Sequence, residues 1–183
     1  SLAGSVMKNW EVVTLDNAKV TFSGDAALVT GTGTSPDGSL QGLLIRDSSV
    51  LSSPVALDVT GDVSIDATST LSHSQGGSLT GNVSSAGLIA WANTMPRQTL
   101  TINGNYTGVA GSSLALNTVL GDDSSVTDKL VVTGDSAGTT AVSVSNAGGQ
   151  GAQTDDGIEL IHVGGTSTSD AFTQVGSIVD GLS

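Results

Sequence analysis

One short phrase recurs along the chain and limits its fold more than any other feature. An apolar residue and a small polar one are followed by Gly, then Asp or Asn, then a second apolar residue. The phrase stands as Val59-Thr60-Gly61-Asp62-Val63, as Leu79-Thr80-Gly81-Asn82-Val83 and as Ile102-Asn103-Gly104-Asn105-Tyr106, and in shortened form as Val132-Thr133-Gly134-Asp135. Its glycines lie 20, 23 and 30 residues apart. Short alternating runs such as Val63–Ile65, Thr70–Ser72 and Leu88–Trp91 fill the intervals. A period near 20 residues built from short strands and turn residues is the pattern of a solenoid, whose turns stack and bury one face of each strand. Alternation then places Val, Leu and Ile inside and Ser, Thr and Asp outside. Gly and Asn suit the corners, where φ is positive. A β-sandwich is the competing architecture, but hairpin dipeptides are few and the corners repeat at coil spacing.

Composition supports an all-β chain. Of 183 residues 25 are Gly, 3% are aromatic and 12% are charged, and Glu occurs only as Glu11 and Glu159. The residues that normally cover exposed helix faces are therefore missing, while Val, Thr and Ser are abundant. The formal net charge is −12 with five Lys and Arg. So few cations build no phosphate-binding footprint, which argues against nucleic acid, and an anionic membrane would repel the chain. The Asp residues are expected at turns, bonding local backbone N–H groups. Without cysteine there is no disulfide, thiol nucleophile or cysteine zinc site. No run approaches the ~20 apolar residues of a membrane helix. The opening SLAGSVMKNW has no signal-peptide pattern and looks like the start of an excised fragment or a mature segment.

Residues 1–98 carry the coil period, and residues 99–183 are expected to differ. Five longer runs lie there: Leu100–Ile102, Leu114–Leu120, Lys129–Val132, Ala141–Val144 and Ile158–Val163. The repeat stretches to 30, and Met95-Pro96-Arg97-Gln98 marks the change. Leu130–Val132 and Ala141–Val144, separated by Gly134-Asp135-Ser136-Ala137-Gly138, are expected to form a hairpin.

Few motifs carry chemistry. GDSAG at 134–138 has the G-x-S-x-G form of a hydrolase elbow, but that elbow requires a following helix and strand-like TTAVSVS follows here. His162 alternates within IELIHV as a strand-face residue, and His73 sits in a Ser-rich turn. Asn146–Gln153 has a single G-G-x-G element of a calcium β-roll, with Gln153 where the roll needs Asp. Asp122, Asp123 and Asp128 are read as a solvated acidic turn rather than a cation site. Asn82-Val83-Ser84 and Asn105-Tyr106-Thr107 have the form of glycosylation sequons. Trp10, Trp91 and Tyr106 are the aromatics available to an adhesive surface, with core placement the competing role. No catalytic residue, metal or cofactor is expected.

The order and spacing of small motifs from residue 99 onward carry a resemblance. Leu100-Thr-Ile-Asn-Gly-Asn-Tyr106, Leu114-Ala-Leu-Asn-Thr-Val-Leu-Gly-Asp-Asp-Ser-Ser125, Thr127-Asp-Lys-Leu-Val-Val-Thr-Gly-Asp135 and Gly157-Ile-Glu-Leu-Ile-His-Val-Gly-Gly165 resemble the C-terminal passenger region of bacterial autotransporters of the pertactin-like and AIDA-like kind. The resemblance implies a right-handed parallel β-helix ending in a C-terminal β-hairpin cap, exported through the periplasm to the outer membrane and cell surface. It implies a non-catalytic autochaperone that caps the coil, nucleates its folding and supports secretion. Its partners would be its own upstream β-helix and its own membrane barrel. That barrel lies outside these 183 residues, so this piece alone is not expected to insert in a membrane. The cap core would be Leu114, Leu116, Leu130, Val132, Val142, Val144, Ile158, Leu160 and Ile161. The alternatives are an adhesive surface for a host ligand and, behind it, a carbohydrate-active β-helix, which would need an exposed acidic pair.

Overall fold

In the computed structural model, which describes residue 3 and residues 10–22 and 24–178, the chain winds as a parallel β-helix. The first turn contributes β1 (Val12–Asp16), β2 (Lys19–Thr21) and β3 (Ala27–Val29). The second contributes β4 (Gly42–Arg46), β5 (Val50–Ser53) and β6 (Leu57–Thr60), and the third β7 (Val63–Ile65), β8 (Thr70–His73) and β9 (Gly77–Thr80). The fourth holds β10 (Val83–Ser85), β11 (Leu88–Trp91) and β12 (Thr99–Asn103), and the fifth β13 (Tyr106–Gly108), β14 (Ser113–Thr118) and β15 (Lys129–Val132). The sixth holds β16 (Ser136–Gly138), β17 (Thr140–Asn146) and β18 (Ile161–Val163), after which β19 (Phe172–Gln174) lies on β17. Each turn gives one strand to each of three sheets, ordered β1-β4-β7-β10-β13-β16, β19-β17-β14-β11-β8-β5-β2 and β18-β15-β12-β9-β6-β3.

The register stacks like on like. Leu51, Leu71, Ile89, Leu114 and Val142 form one inward column. Leu28, Val59, Leu79, Ile102, Val132 and Val163 form another. Period-2 alternation turns these side chains into the tube and their neighbours outward, so strands only three or four residues long suffice to build a dry core.

The recurring phrase is the corner between the third and first sheets. Gly61, Gly81, Gly104 and Gly134 stack with backbone on backbone, so a methyl on Gly81 would fall on the Gly61 carbonyl and one on Gly104 on the Gly81 carbonyl. Beside them runs a side-chain ladder. Asn82 N–H donates to Asp62 Oδ1 at 2.7 Å, Asn105 N–H to Asn82 Oδ1 at 3.0 Å, Asp135 N–H to Asn105 Oδ1 at 2.9 Å and Thr166 N–H to Asp135 Oδ1 at 2.7 Å. Asp and Asn recur here because their short side chains reach the N–H one turn on, which the sheets leave unbonded at a corner. Asp37 and Asp122 bond locally, as expected of turn residues, while Asp66 bonds Thr68 locally and also accepts the Asp47 N–H of the preceding turn at 2.7 Å. Asp62 and Asp135 likewise tie one turn to the next.

Two expectations are corrected. Leu130–Val132 and Ala141–Val144 do not form a hairpin: β15 and β17 lie in different sheets, each paired in parallel with strands of neighbouring turns. A corner of a coil and a turn of a hairpin use the same Gly, Asp and Ser residues, and only the distant pairing partner tells them apart. An antiparallel excursion does occur, but earlier, at 117–128, through the bridge Thr118↔Thr127 and the bond from Val119 N–H to Val126 C=O at 2.8 Å. Nor does the architecture change at Thr99. Leu100 pairs with Gly77 on one side and Leu130 on the other, and the longer repeat comes from loops at 92–98, 119–128 and 147–160. These bulge from the coil without disturbing the stacked strands.

Candidate functional site

The densest polar structure in the chain lies where the 92–98 loop and the 117–128 excursion meet. Asp128, just ahead of β15, is fully buried. Its carboxylate accepts five hydrogen bonds. Oδ1 takes Asn93 Nδ2 at 2.9 Å, Arg97 N–H at 3.0 Å and Gln98 N–H at 3.0 Å. Oδ2 takes Asn117 N–H and Asn117 Nδ2, both at 3.1 Å. Asn117 Nδ2 also reaches the Trp91 carbonyl at 3.0 Å. Charge-assisted bonds of this kind contribute ~1.5–3 kcal/mol each when buried. Asp128 is therefore no member of a solvated turn. One carboxylate gathers the end of β11, the loop before β12 and the outer half of β14.

Below it, His73 and Trp91 stack inside the tube with ring centroids 4.7 Å apart in an edge-on arrangement. Both are buried, and Trp91 Nε1–H donates to the Gln98 carbonyl at 3.0 Å. His73 Nδ1 accepts the Gly76 N–H at 3.2 Å, which leaves the proton on Nε2, where no acceptor is in reach. Burial pushes the His73 imidazole down to about 4, against the opposing pull of the Asp128 carboxylate. The unfolded chain, at the ordinary value of 6.5, takes up the proton first. Stability is thus lost as pH falls through 6.5 and levels off below about 4.

A second buried polar knot sits two strands on. Tyr106 is fully buried under β16, with its ring stacked on Phe172 at 5.5 Å and its hydroxyl bonded to Ser112 Oγ at 2.9 Å and Thr140 Oγ1 at 3.0 Å. Tyr106→Phe leaves the two hydroxyls partly unpaired, and a loss of about 1–2 kcal/mol in urea unfolding is the expected result.

Of the cap core, Leu114, Leu116, Leu130, Val132 and Val142 are buried. Val144, Leu160 and Ile161 are partly buried against the same cluster, and Ile158 is half-exposed outside it. Trp91 and Tyr106 are core residues, which leaves Trp10, 59% exposed, as the one accessible aromatic of the three. Ser136 of the GDSAG segment is buried and donates to Ser167 Oγ at 2.7 Å. His162 is exposed and lies 3.5 Å from Glu159. Asn146 Oδ1 accepts the N–H groups of Leu120, Gly148 and Gly149, so the β-roll-like element closes a loop through its own side chain. Asp123 accepts three N–H groups, from Asp155, Asp156 and Gly157. The N–H groups of Asp155, Gly157 and Asp156 hold its carboxyl below the usual range, the Ser124 hydroxyl and N–H do the same for Asp122, and the Thr166 N–H and hydroxyl for Asp135. All three are committed to the ionised form, the opposite of what a general acid requires.

Sequence reasoning placed Trp91 correctly as a core alternative but missed Asp128, His73 and Asn117 as a buried cluster. The one local signal was a lone Asp directly before the alternating run Lys129–Val132, which marks a strand entry rather than a turn tip.

Comparison with known proteins agrees with this geometry. The family described as Autochaperone Domain Type 1 matches residues 74–182, well over half the chain, starting immediately after His73. The chain is 63% identical over 68 residues to the adhesin BmaC autotransporter of Brucella suis biovar 1 (strain 1330), covering 37% of this chain and 2% of that protein. It is 46% identical over 72 residues to the autotransporter adhesin AIDA-I of Escherichia coli, covering 39% and 6%. A third relative, YuaQ of Escherichia coli (strain K12), is 49% identical over 105 residues, covering 57% and 8%. The chain thus spans less than a tenth of each of these relatives. Autotransporter adhesins are exported to the bacterial outer membrane and cell surface, and that is the location of this chain. With its parallel coil and its matched region covering the buried Asp128 cluster, the chain belongs to the type 1 autochaperone domains of autotransporters.

Proposed function

We propose that this segment is a non-catalytic cap and folding nucleus, which closes the C-terminal end of a passenger β-helix, templates the turns upstream and so supports secretion across the outer membrane. Its partners are the upstream coil of its own polypeptide and its own membrane barrel. Residues 99–183 act as the cap and residues 1–98 as the turns that it templates.

The observation that carries this reading is the local closure of the 117–128 excursion at Asp128. A solenoid has no cheap starting point, because each strand pairs with one about 20–30 residues away and a lone turn buries too little surface to offset its ordering. Asp128 instead takes two bonds from Asn117, only 11 residues away, and to that local closure it ties Gln98, Arg97 and Asn93 of the preceding turn. The 117–128 excursion closes locally, and Leu114, Leu116 and Leu130 lie against it in the core. Once formed, such a unit offers strand edges to which each further turn adds only neighbour contacts.

Folding kinetics test the proposal. Leu130→Ala and Leu28→Ala each remove a fully buried leucine and should cost about 2–5 kcal/mol. For Leu130→Ala most of that loss should appear as slower refolding, and for Leu28→Ala as faster unfolding. If both variants leave the refolding rate unchanged, the segment is a lid and not a nucleus. Leu130→Asp extends the test: hydrogen exchange should then lose protection across residues 10–98 as well as at the site of change.

A further inference from the structure

We propose that Asn103–Gly104 is a modification site gated by the fold: it converts to isoaspartate only in the unfolded chain, and a chain so altered can no longer stack the corner between β12 and β13. This goes beyond the folding role and does not depend on it, since it concerns what the chain undergoes before any turn has formed.

Asn103 is the one asparagine of the chain followed by glycine. The others precede Trp, Ala, Val, Thr or Tyr, whose side chains hinder the neighbouring N–H. In an open chain the Gly104 nitrogen reaches the Asn103 side-chain carbonyl carbon without that hindrance. The new N–C bond forms, the bond from that carbon to Nδ2 breaks, and ammonia leaves with the amide proton, closing a succinimide. Water then opens the ring. Opening at the side-chain carbonyl gives aspartate. Opening at the main-chain carbonyl, the prevailing route, gives isoaspartate, whose backbone runs through the side chain and is one atom longer.

The coil pins both partners of this reaction. Asn103 ends β12 in register with Thr80, and its carbonyl accepts the Gly81 N–H at 3.1 Å. Its Nδ2 is turned along the outer face to Ser78 Oγ at 2.9 Å. On the other side the Gly104 carbonyl accepts the Gly134 N–H at 3.0 Å. Ring closure needs a ψ far from the strand value, so the end of β12 must open first. The two products differ on refolding. Aspartate keeps the backbone and puts its carboxylate on an exposed outer face, where Ser78 Oγ can donate to it. Isoaspartate turns the carbonyl that holds Gly81 into a free carboxylate on a branch. It also adds a backbone atom where even a methyl on Gly104 would fall on the Gly81 carbonyl. Turns stacked ~4.8 Å apart have no room for it. Asn105, whose N–H bonds Asn82 Oδ1, and the buried Tyr106 are then carried out of register.

The test uses the full 183-residue chain, aged at mildly alkaline pH in buffer and in concentrated urea. Trypsin, cutting after Arg97 and Lys129, releases residues 98–129, a peptide that also carries Asn105 and Asn117 as internal references. Mass spectrometry with fragmentation that distinguishes isoaspartate reads all three positions. In urea Asn103 should convert at least about tenfold faster than either reference, because glycine alone leaves the attacking nitrogen unhindered. In buffer its conversion should fall by about a hundredfold or more, as for a site that reacts only through unfolding. The urea-aged chains are then diluted to refold and separated by size exclusion. Molecules with isoaspartate at position 103 should elute with expanded chains, and those with asparagine or aspartate there with folded ones. Asn103→Asp should fold, and Asn103→Gln aged in urea should keep the refolding yield that the unaltered chain loses. The proposal is overturned if Asn103 converts as fast in buffer as in urea, if it outpaces neither reference in urea, or if isoaspartate chains refold alongside the rest. Failure of Asn103→Asp to fold would overturn it too, because charge rather than the longer backbone would then be the bar. The conversion rates are read in the unaltered chain and stand whatever either variant does.

Discussion

Asp128→Ala is expected to cost about 3–5 kcal/mol, a large fraction of the ~5–15 kcal/mol that holds a typical domain folded. The alanine removes an acceptor shared by five donors and introduces none. The donors of the 92–98 loop can turn to water, which limits their cost. The Asn117 N–H cannot, because β14 is held between β11 and β17. Asp128→Asn separates charge from shape: it keeps one acceptor oxygen but points an NH2 group at other donors, so its loss should be intermediate. Asp58→Ala, on the outward face of β6, is the control and should stay within about 0.5 kcal/mol. Urea midpoints at constant m-value read all three. A cost below about 1 kcal/mol for Asp128→Ala would mean that the cluster is decoration rather than structure.

That residue also marks the limit of what the sequence makes legible. The parallel coil is written locally, because each corner repeats Gly and Asp or Asn and each strand alternates. The inward columns through Leu51, Leu71, Ile89 and Leu114 follow from that alternation. The partners of Asp128 are not written locally. They lie on a loop and a strand that come together only when two turns have stacked, and an Asp between Thr127 and Lys129 has the surroundings of a surface residue. His73, set in SHSQGG, is hidden for the same reason: β8 turns it inward beneath Trp91 although its neighbours in sequence are polar. The hairpin expected at 130–144 fails differently. Its residues satisfy a hairpin and a coil corner equally well, and the choice is made by strands 28–30 residues away that offer a parallel edge. Thr99 looked like a boundary because spacing was read as architecture, whereas loops change spacing and leave the sheets continuous.

The corner glycines permit a sharper test, because close approach and backbone conformation can be separated there. Stacked strands stand ~4.8 Å apart, which leaves no room for a methyl between successive corners. At Gly81 both constraints act, since φ is 147° and a Cβ would strike the Gly61 carbonyl. At Gly104 φ is unexceptional but a Cβ would strike the Gly81 carbonyl. At Gly148 φ is 130° with open space around the position. Gly148→Ala should therefore cost only the conformational strain, about 1 kcal/mol. Gly104→Ala has to push neighbouring turns of backbone apart, straining the Asn82–Asn105 rung of the ladder, and should cost about 3 kcal/mol. Gly81→Ala combines the two effects at a corner where its own N–H bonds the Asn103 carbonyl and Asn82 N–H bonds Asp62, and should exceed about 4 kcal/mol. Denaturant midpoints of the three variants should fall in that order. If Gly104→Ala proved as mild as Gly148→Ala, the turns would have slack at the corner, and stacking there could not set the spacing of the coil. If the order holds, the Gly–Asp/Asn phrase is a steric and hydrogen-bonding rule for stacking turns, with the glycine fixing the distance and the side chain after it bonding the next turn.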